Sequence, residues 1–253
     1  IHQTATTVTL QWAPAAADSG LLPSGYIVYR NDGLPGSYSM DMVGYDGSSS
    51  ASTSGTISGL VAGREYSFVV GALNAAGEGD VSDVLRQSTA PAAPTLLQSV
   101  SQTSTSITLS WVAPIASGGA AQASEYILYR DTGIEGSSIS IVAYRGASTF
   151  ANILDLVGGR VYSFVVSAVS TAGEGARSEV FSQGGSAVPL PPVQFHQTQS
   201  PISLAWSEPE TESRIVTTGY RIYGVENSMR TLLYDGTDST TLEWTNYGLR
   251  SGT

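Results

Sequence analysis

Cysteine is absent from the 253 residues. That absence excludes disulfides, thiolate nucleophiles and Cys-based zinc sites together. Lysine is absent as well, so all 11 basic residues are Arg. A GC-rich genome would favour Arg, Ala and Gly codons and give this result; resistance to lysine-directed proteolysis or modification would give it too. Histidine, the residue best suited to general-base and metal work, occurs twice. No apolar run approaches the ~18–20 residues of a membrane-spanning helix. No window keeps the 3.6-residue apolar period of an amphipathic helix. Positive charge is scarce, and the net charge is −10. A surface of that sign repels phosphate backbones and anionic membranes, so nucleic acid is not an expected partner. The same charge keeps a polar, repetitive chain in solution. There is no start Met and no basic leader ahead of an apolar core, so the numbering is expected to begin inside a longer or processed chain.

What is present is repetition. YSFVVGALNAAGEG (Tyr66–Gly79) returns as YSFVVSAVSTAGEG (Tyr162–Gly175). ATTVTLQWAP, STSITLSWVAP and SPISLAWSEP each alternate apolar and polar residues and end in Trp followed closely by Pro. GYIVYR, EYILYR and GYRIYG follow them in the same order. Trp12, Trp111 and Trp206 stand 99 and 95 residues apart. That period far exceeds a solenoid repeat of ~20–50 residues, so each copy is a domain with its own core. Val8, Leu10 and Trp12 share one strand face; Tyr66, Phe68 and Val70 share another. Gly, Asp, Pro and Ser clusters such as NDGLPGS and DTGIEGSS punctuate the strands. Short half-buried strands joined by turns predict an all-β chain of antiparallel two-sheet sandwiches. APAAPT (Ala90–Thr95) and AVPLPPV (Ala187–Val193) read as short, semi-rigid linkers.

These motifs, in this order, resemble tandem fibronectin type III domains of the Ig-like sandwich class. Trp12, Trp111 and Trp206 match the family's core Trp. Tyr26/Tyr29, Tyr126/Tyr129 and Tyr220/Tyr223 match its Y-x-x-Y strand. Leu60, Gly63 and Tyr66, then Leu156, Gly159 and Tyr162, match its L-x-x-G-x-x-Y corner. Asn74, Gly77 and Gly79 match its N-x-x-G-x-G turn, from which the second copy departs at Ser170. The resemblance implies repeats over residues 1–89, 95–186 and 193–253. It implies corner tyrosines whose rings enter the core and whose hydroxyls bond back to the backbone. The glycines of AGEG are expected to supply positive φ. Trp12 and Trp111 are expected to be largely buried. A fifth strand of the third repeat is expected near Thr240–Trp244. By the corner spacing, that repeat's tyrosine belongs two positions past Thr253, so further chain or a neighbour's strands are expected to complete it.

Chemistry is thinly spread. His2 and His196 occupy one slot of the first strand that Ser101 fills in the second repeat, which reads as surface. Asp41, Asp46, Asp235 and Asp238 offer oxygens to calcium, but they match no EF-hand loop and read better as turn residues. Glu78 and Glu174 sit among glycines on exposed turns, a poor place for acid–base work. There is no G-x-S-x-G elbow, no phosphate loop, no N-x-[ST] sequon and no RGD. Ser48–Thr56 reads as a polar connector or as an O-glycan acceptor. No catalytic, cofactor or metal residue is therefore assigned. The expected function is that of a non-enzymatic stalk, filament or adhesin spacer in an extracellular or cell-surface protein. The alternative is a binding module of a receptor ectodomain or of a secreted carbohydrate-active enzyme. Expected partners are proteins, among them copies of the chain meeting through strand edges or head to tail, because no Lys guards the edges.

Overall fold

The computed structural model describes residues 2–16, 21–117, 119, 120, 122–185, 192–197, 202–209, 216–226 and 228–247. Every regular element among them is a strand. The first group is β1 (His2–Gln3), β2 (Val8–Gln11), β3 (Gly25–Arg30), β4 (Met42–Gly47), β5 (Ser54–Ile57), β6 (Glu65–Asn74), β7 (Gly77–Glu78) and β8 (Leu85–Ser88). The second is β9 (Thr95–Gln102), β10 (Ile107–Val112), β11 (Glu125–Arg130), β12 (Ile141–Gly146), β13 (Phe150–Ile153), β14 (Val161–Ser170), β15 (Gly173–Arg177) and β16 (Phe181–Gly184). The third is β17 (Val193–Gln197), β18 (Ile202–Ala205), β19 (Tyr220–Glu226), β20 (Met229–Gly236) and β21 (Glu243–Asn246).

Each group divides the same way. The short sheets run β1-β2-β5, β9-β10-β13 and β17-β18-β21. The longer sheets run β4-β3-β6 with β7 and β8 on the far side of β6, and β12-β11-β14 with β15 and β16 likewise; β19-β20 is the third counterpart. All these pairings are antiparallel. The chain is all-β, as its alternating pattern predicts.

Val8, Leu10, Val28, Ile57, Leu60, Tyr66 and Phe68 form the core of the first sandwich. Ile107, Leu109, Trp111, Leu128, Tyr162, Phe164 and Val166 belong to the core of the second. The corner tyrosines behave as the resemblance implies. Tyr66 is buried and its hydroxyl accepts the Val61 amide at 2.9 Å; Tyr162 accepts the Val157 amide at 2.9 Å. Gly33 and Gly133 lie against the two rings at φ of 72° and 75°. A Cβ on either would stand 2.5 or 2.7 Å from tyrosine ring carbon.

Several details differ from the sequence reading. Trp111 is buried but Trp12 is only half-buried. The reason is cover: β9 reaches Thr95 opposite Val112, past Trp111, while β1 pairs no further than Thr9. Gly77 and Gly173 have positive φ, but Gly79 and Gly175 do not. Gly175 is needed for space instead, since a Cβ there would meet the Pro91 carbonyl oxygen. The fifth strand of the third repeat is Glu243–Asn246, slightly later than expected.

A bulge recurs in all three longer sheets. Register shifts between Val28 and Tyr29, Leu128 and Tyr129, and Ile222 and Tyr223. The extra residue on the edge strand is Gly44, Ala143 or Leu233. Strict alternation would send Ala143 and Tyr144 to opposite faces, yet both pack on the core. A bulge permits this because two residues then oppose one.

Candidate functional site

The outer face of the longer sheets holds the polar pairs that repeat. In the first sandwich Tyr29 donates to Glu78 Oε2 at 2.9 Å. In the second Tyr129 donates to Glu174 Oε1 at 2.9 Å, and Ser167 donates to the same oxygen at 2.6 Å. The Arg177 guanidinium lies 3.9 Å from the Tyr129 ring centroid and donates to the Ile139 carbonyl at 3.1 Å. Beside them Ile127, Tyr129 and Val165 are buried on the side of the sheet that faces away from the core, with Ile139 and Val169 packed against them. The first sandwich has Gly71 where the second has Ser167, and Glu78 lies directly over it.

The glutamates on the AGEG turns thus have partners that sequence reasoning missed. They tie β7 to β3 and β15 to β11. The signal was present in the double recurrence of Tyr29/Tyr129 with Glu78/Glu174. The hydrogen bond to Glu78 is the main influence raising the Tyr29 pKa, with burial next. For Tyr129 burial comes first and the Glu174 hydrogen bond second, opposed by Arg177. Both phenols stay protonated beyond their ordinary range. A Tyr–Glu pair of this kind fastens a hairpin; it does not generate a nucleophile.

The other candidates disperse. His2 is exposed and pairs with Thr9; Ser101 pairs with Thr108 and His196 with Ser203, so the shared slot is real in the backbone. Asp46 accepts the Ser48 amide at 3.0 Å, and Asp235 accepts the Thr237 amide at 3.1 Å, both as Asx turns. Thr237 and Arg221 hold the Asp235 carboxyl down at about 2. Asp41 is exposed, and Asp238 sits at a positive φ of 66°. Among the described residues no three His, Cys, Asp or Glu side chains meet where a metal could be held. Ser48–Thr56 connects β4 to β5 and enters β5, with Ser52 donating to the Ser54 carbonyl at 3.1 Å.

The junction between the first two sandwiches is the remaining polar assembly. Ala90 and Pro91 are buried. The Ala90 amide donates to Thr4 at 3.0 Å and its carbonyl accepts the Gly63 amide at 2.8 Å. The Ser117 amide of the second sandwich donates to the Gly63 carbonyl at 2.8 Å, and Arg64 reaches the Ser117 hydroxyl. The corner loop of one sandwich therefore meets both the linker and a loop of the next.

A sequence profile of the Fibronectin type III domain matches residues 1–88 and 92–183. Chitinase A1 of Niallia circulans is 34% identical over 67% of this chain and 22% of its own length. Receptor-type tyrosine-protein phosphatase F of Mus musculus is 31% identical over 95% of this chain and 13% of its own length. The chain thus spans under a quarter of the length of these curated relatives. Among solved structures, a two-domain fibronectin type III segment of chicken tenascin is 23% identical, with a TM-score of 0.35, over 72% of this chain and 93% of that one.

Proposed function

Because the chain belongs to the fibronectin type III family, we propose that it is a non-enzymatic spacer segment of a longer extracellular or cell-surface protein. Its units are taken as residues 1–89, 95–186 and 193–253. The observation that carries this reading is the junction. Ala90 fixes the linker to the first sandwich through Thr4 and Gly63, while Ser117 bonded to Gly63 and Pro91 packed on Gly175 bind the second, so the first two sandwiches are held at a set angle. A stalk needs that property, and an enzyme does not. Small-angle scattering on the chain tests it: a rod-like distance distribution supports the spacer, and a compact particle overturns it.

A second reading, an accessory module beside a catalytic or signalling domain, is favoured by the likeness to a chitinase and a receptor phosphatase. The residues flanking this segment in the full protein decide between the two.

Copies of the chain are the partners we propose, as in a filament or adhesin. β4 and β12 end their sheets with an open backbone edge and carry exposed Val43 and Val142. Sedimentation at rising concentration should show association that Val43→Lys with Val142→Lys abolishes. A monomer at every concentration removes the idea.

A further inference from the structure

A cleft of about 280 Å³ opens where the first sandwich meets the second. It lies between the loop after β3 and the outer face of β6 and β8, and Gly119 of the second sandwich closes one end. Asn31 braces the loop: its side-chain oxygen accepts the Ser67 amide at 3.0 Å and its nitrogen donates to the Ser37 carbonyl at 3.1 Å. Tyr38 stands at the mouth, 81% exposed. Arg86 and Glu65 also line the space, and neither side chain has a hydrogen bond or ion pair among the described residues.

The second sandwich separates what the fold requires from what the cleft adds. Asn31, Ser37 and Ser67 have counterparts in Asp131, Ser137 and Ser163. Tyr38, Glu65 and Arg86 stand where the second sandwich has Ser138, Val161 and Ser182. There Ser163 and Ser182 bond to each other at 3.1 Å across the same strand pair. The sandwich forms without the aromatic, the carboxylate and the guanidinium, so these three are not demanded by the fold.

We propose that this cleft binds one pyranose unit of a glycan chain. Its volume falls just below the ~300–1,000 Å³ of sites for drug-sized ligands, so it takes a single ring and not a folded partner. An exposed tyrosine face attracts the polarised C–H bonds on one side of a sugar ring. Glu65 only accepts hydrogen bonds and Arg86 only donates them. A hydroxyl does both, so a pair of neighbouring hydroxyls satisfies both side chains at once. A phosphate would meet Glu65 and the net negative charge, and an apolar ligand would leave both charges unpaired. The proposal goes beyond the spacer reading, since a rod scatters alike with or without such a site.

The test is an amide-resolved NMR titration of the chain with β-1,4-linked hexaoses of glucose, N-acetylglucosamine and xylose. Saturable shifts are expected at Tyr38, Glu65, Arg86 and Gly119 with at least one sugar, at a Kd on the order of 1 mM or tighter. Tyr38→Ser with Glu65→Val and Arg86→Ser installs the residues the second sandwich already accommodates. That variant should keep the remaining spectrum and lose at least about tenfold in affinity, a difference of about 1.4 kcal/mol. Absence of saturable cleft shifts with all three sugars at about ten times that Kd, or an unchanged titration in the folded variant, overturns the proposal.

Discussion

At the scale of single residues, two tyrosine hydroxyls do different work. The corner hydroxyl of Tyr162 accepts the Val157 amide from within the core. Tyr162→Phe should leave that amide unpaired and cost about 1–3 kcal/mol in denaturant unfolding, with no change of fold. A loss below about 0.5 kcal/mol would show that the amide finds water easily. Tyr29 and Tyr129 give a finer contrast. The Glu78 hydrogen bond favours the protonated Tyr29 phenol. Its stabilisation is fully present below the ordinary tyrosine value of 10.0 and is lost as pH rises through the raised one. Glu78→Gln should therefore lower the Tyr29 pKa toward its ordinary value in an NMR or absorbance titration. Glu174→Gln should move Tyr129 less, because burial is the larger cause there and Arg177 already opposes the glutamate. Equal shifts in the two variants would contradict this assignment of causes.

At the scale of strands, the matching Trp residues are not energetically equal. Trp111 is buried under β9, so Trp111→Ala should cost about 3–5 kcal/mol. Trp12→Ala should cost less, because its ring is already partly in water. Chemical denaturation followed separately in each sandwich would reveal the order, and a reversed order would refute the cover by β9. The strands themselves were legible from alternation in VTLQW and YSFVV, and the corners from L-x-x-G-x-x-Y. The bulges were not legible. Ala143 and Tyr144 look like one inward and one outward residue, and only pairing with β11 shows that the strand gains a residue there. The burial of Val165 on the outer face was hidden for a similar reason. Its cluster is covered by Ile139, and by Arg177 over the Tyr129 ring, both of which lie outside its own strand. Nor could the cleft be read in sequence, because Tyr38, Glu65, Arg86 and Gly119 are brought together only by two domains.

At the scale of the whole molecule, the contacts of Ala90, Pro91 and Ser117 decide the relative placement of the first two sandwiches. Pro91 packs against Gly175 so closely that no Cβ fits between them. Gly175→Ala should push the linker off β15 and loosen the angle between the first two sandwiches. Residual dipolar couplings would register the change as a loss of common alignment, while amide shifts in the core of the second sandwich stay put. A common alignment tensor retained in the variant would show that Ser117 and Gly63 suffice to hold the angle.

The same linker carries a mechanical consequence. In a chain pulled from both ends, the junction and the two sandwiches bear the same tension in series, and the element with the fewest bonds yields first. The bonds from Ala90 to Thr4 and to Gly63 are few, and they can yield one at a time. Residues 89–94 would then straighten and release less than about 20 Å, an order of magnitude below the gain from unfolding a sandwich. Single-molecule stretching should show a small, quickly reversible yield ahead of the large rupture events, so that the junction takes up a brief load and both cores stay folded.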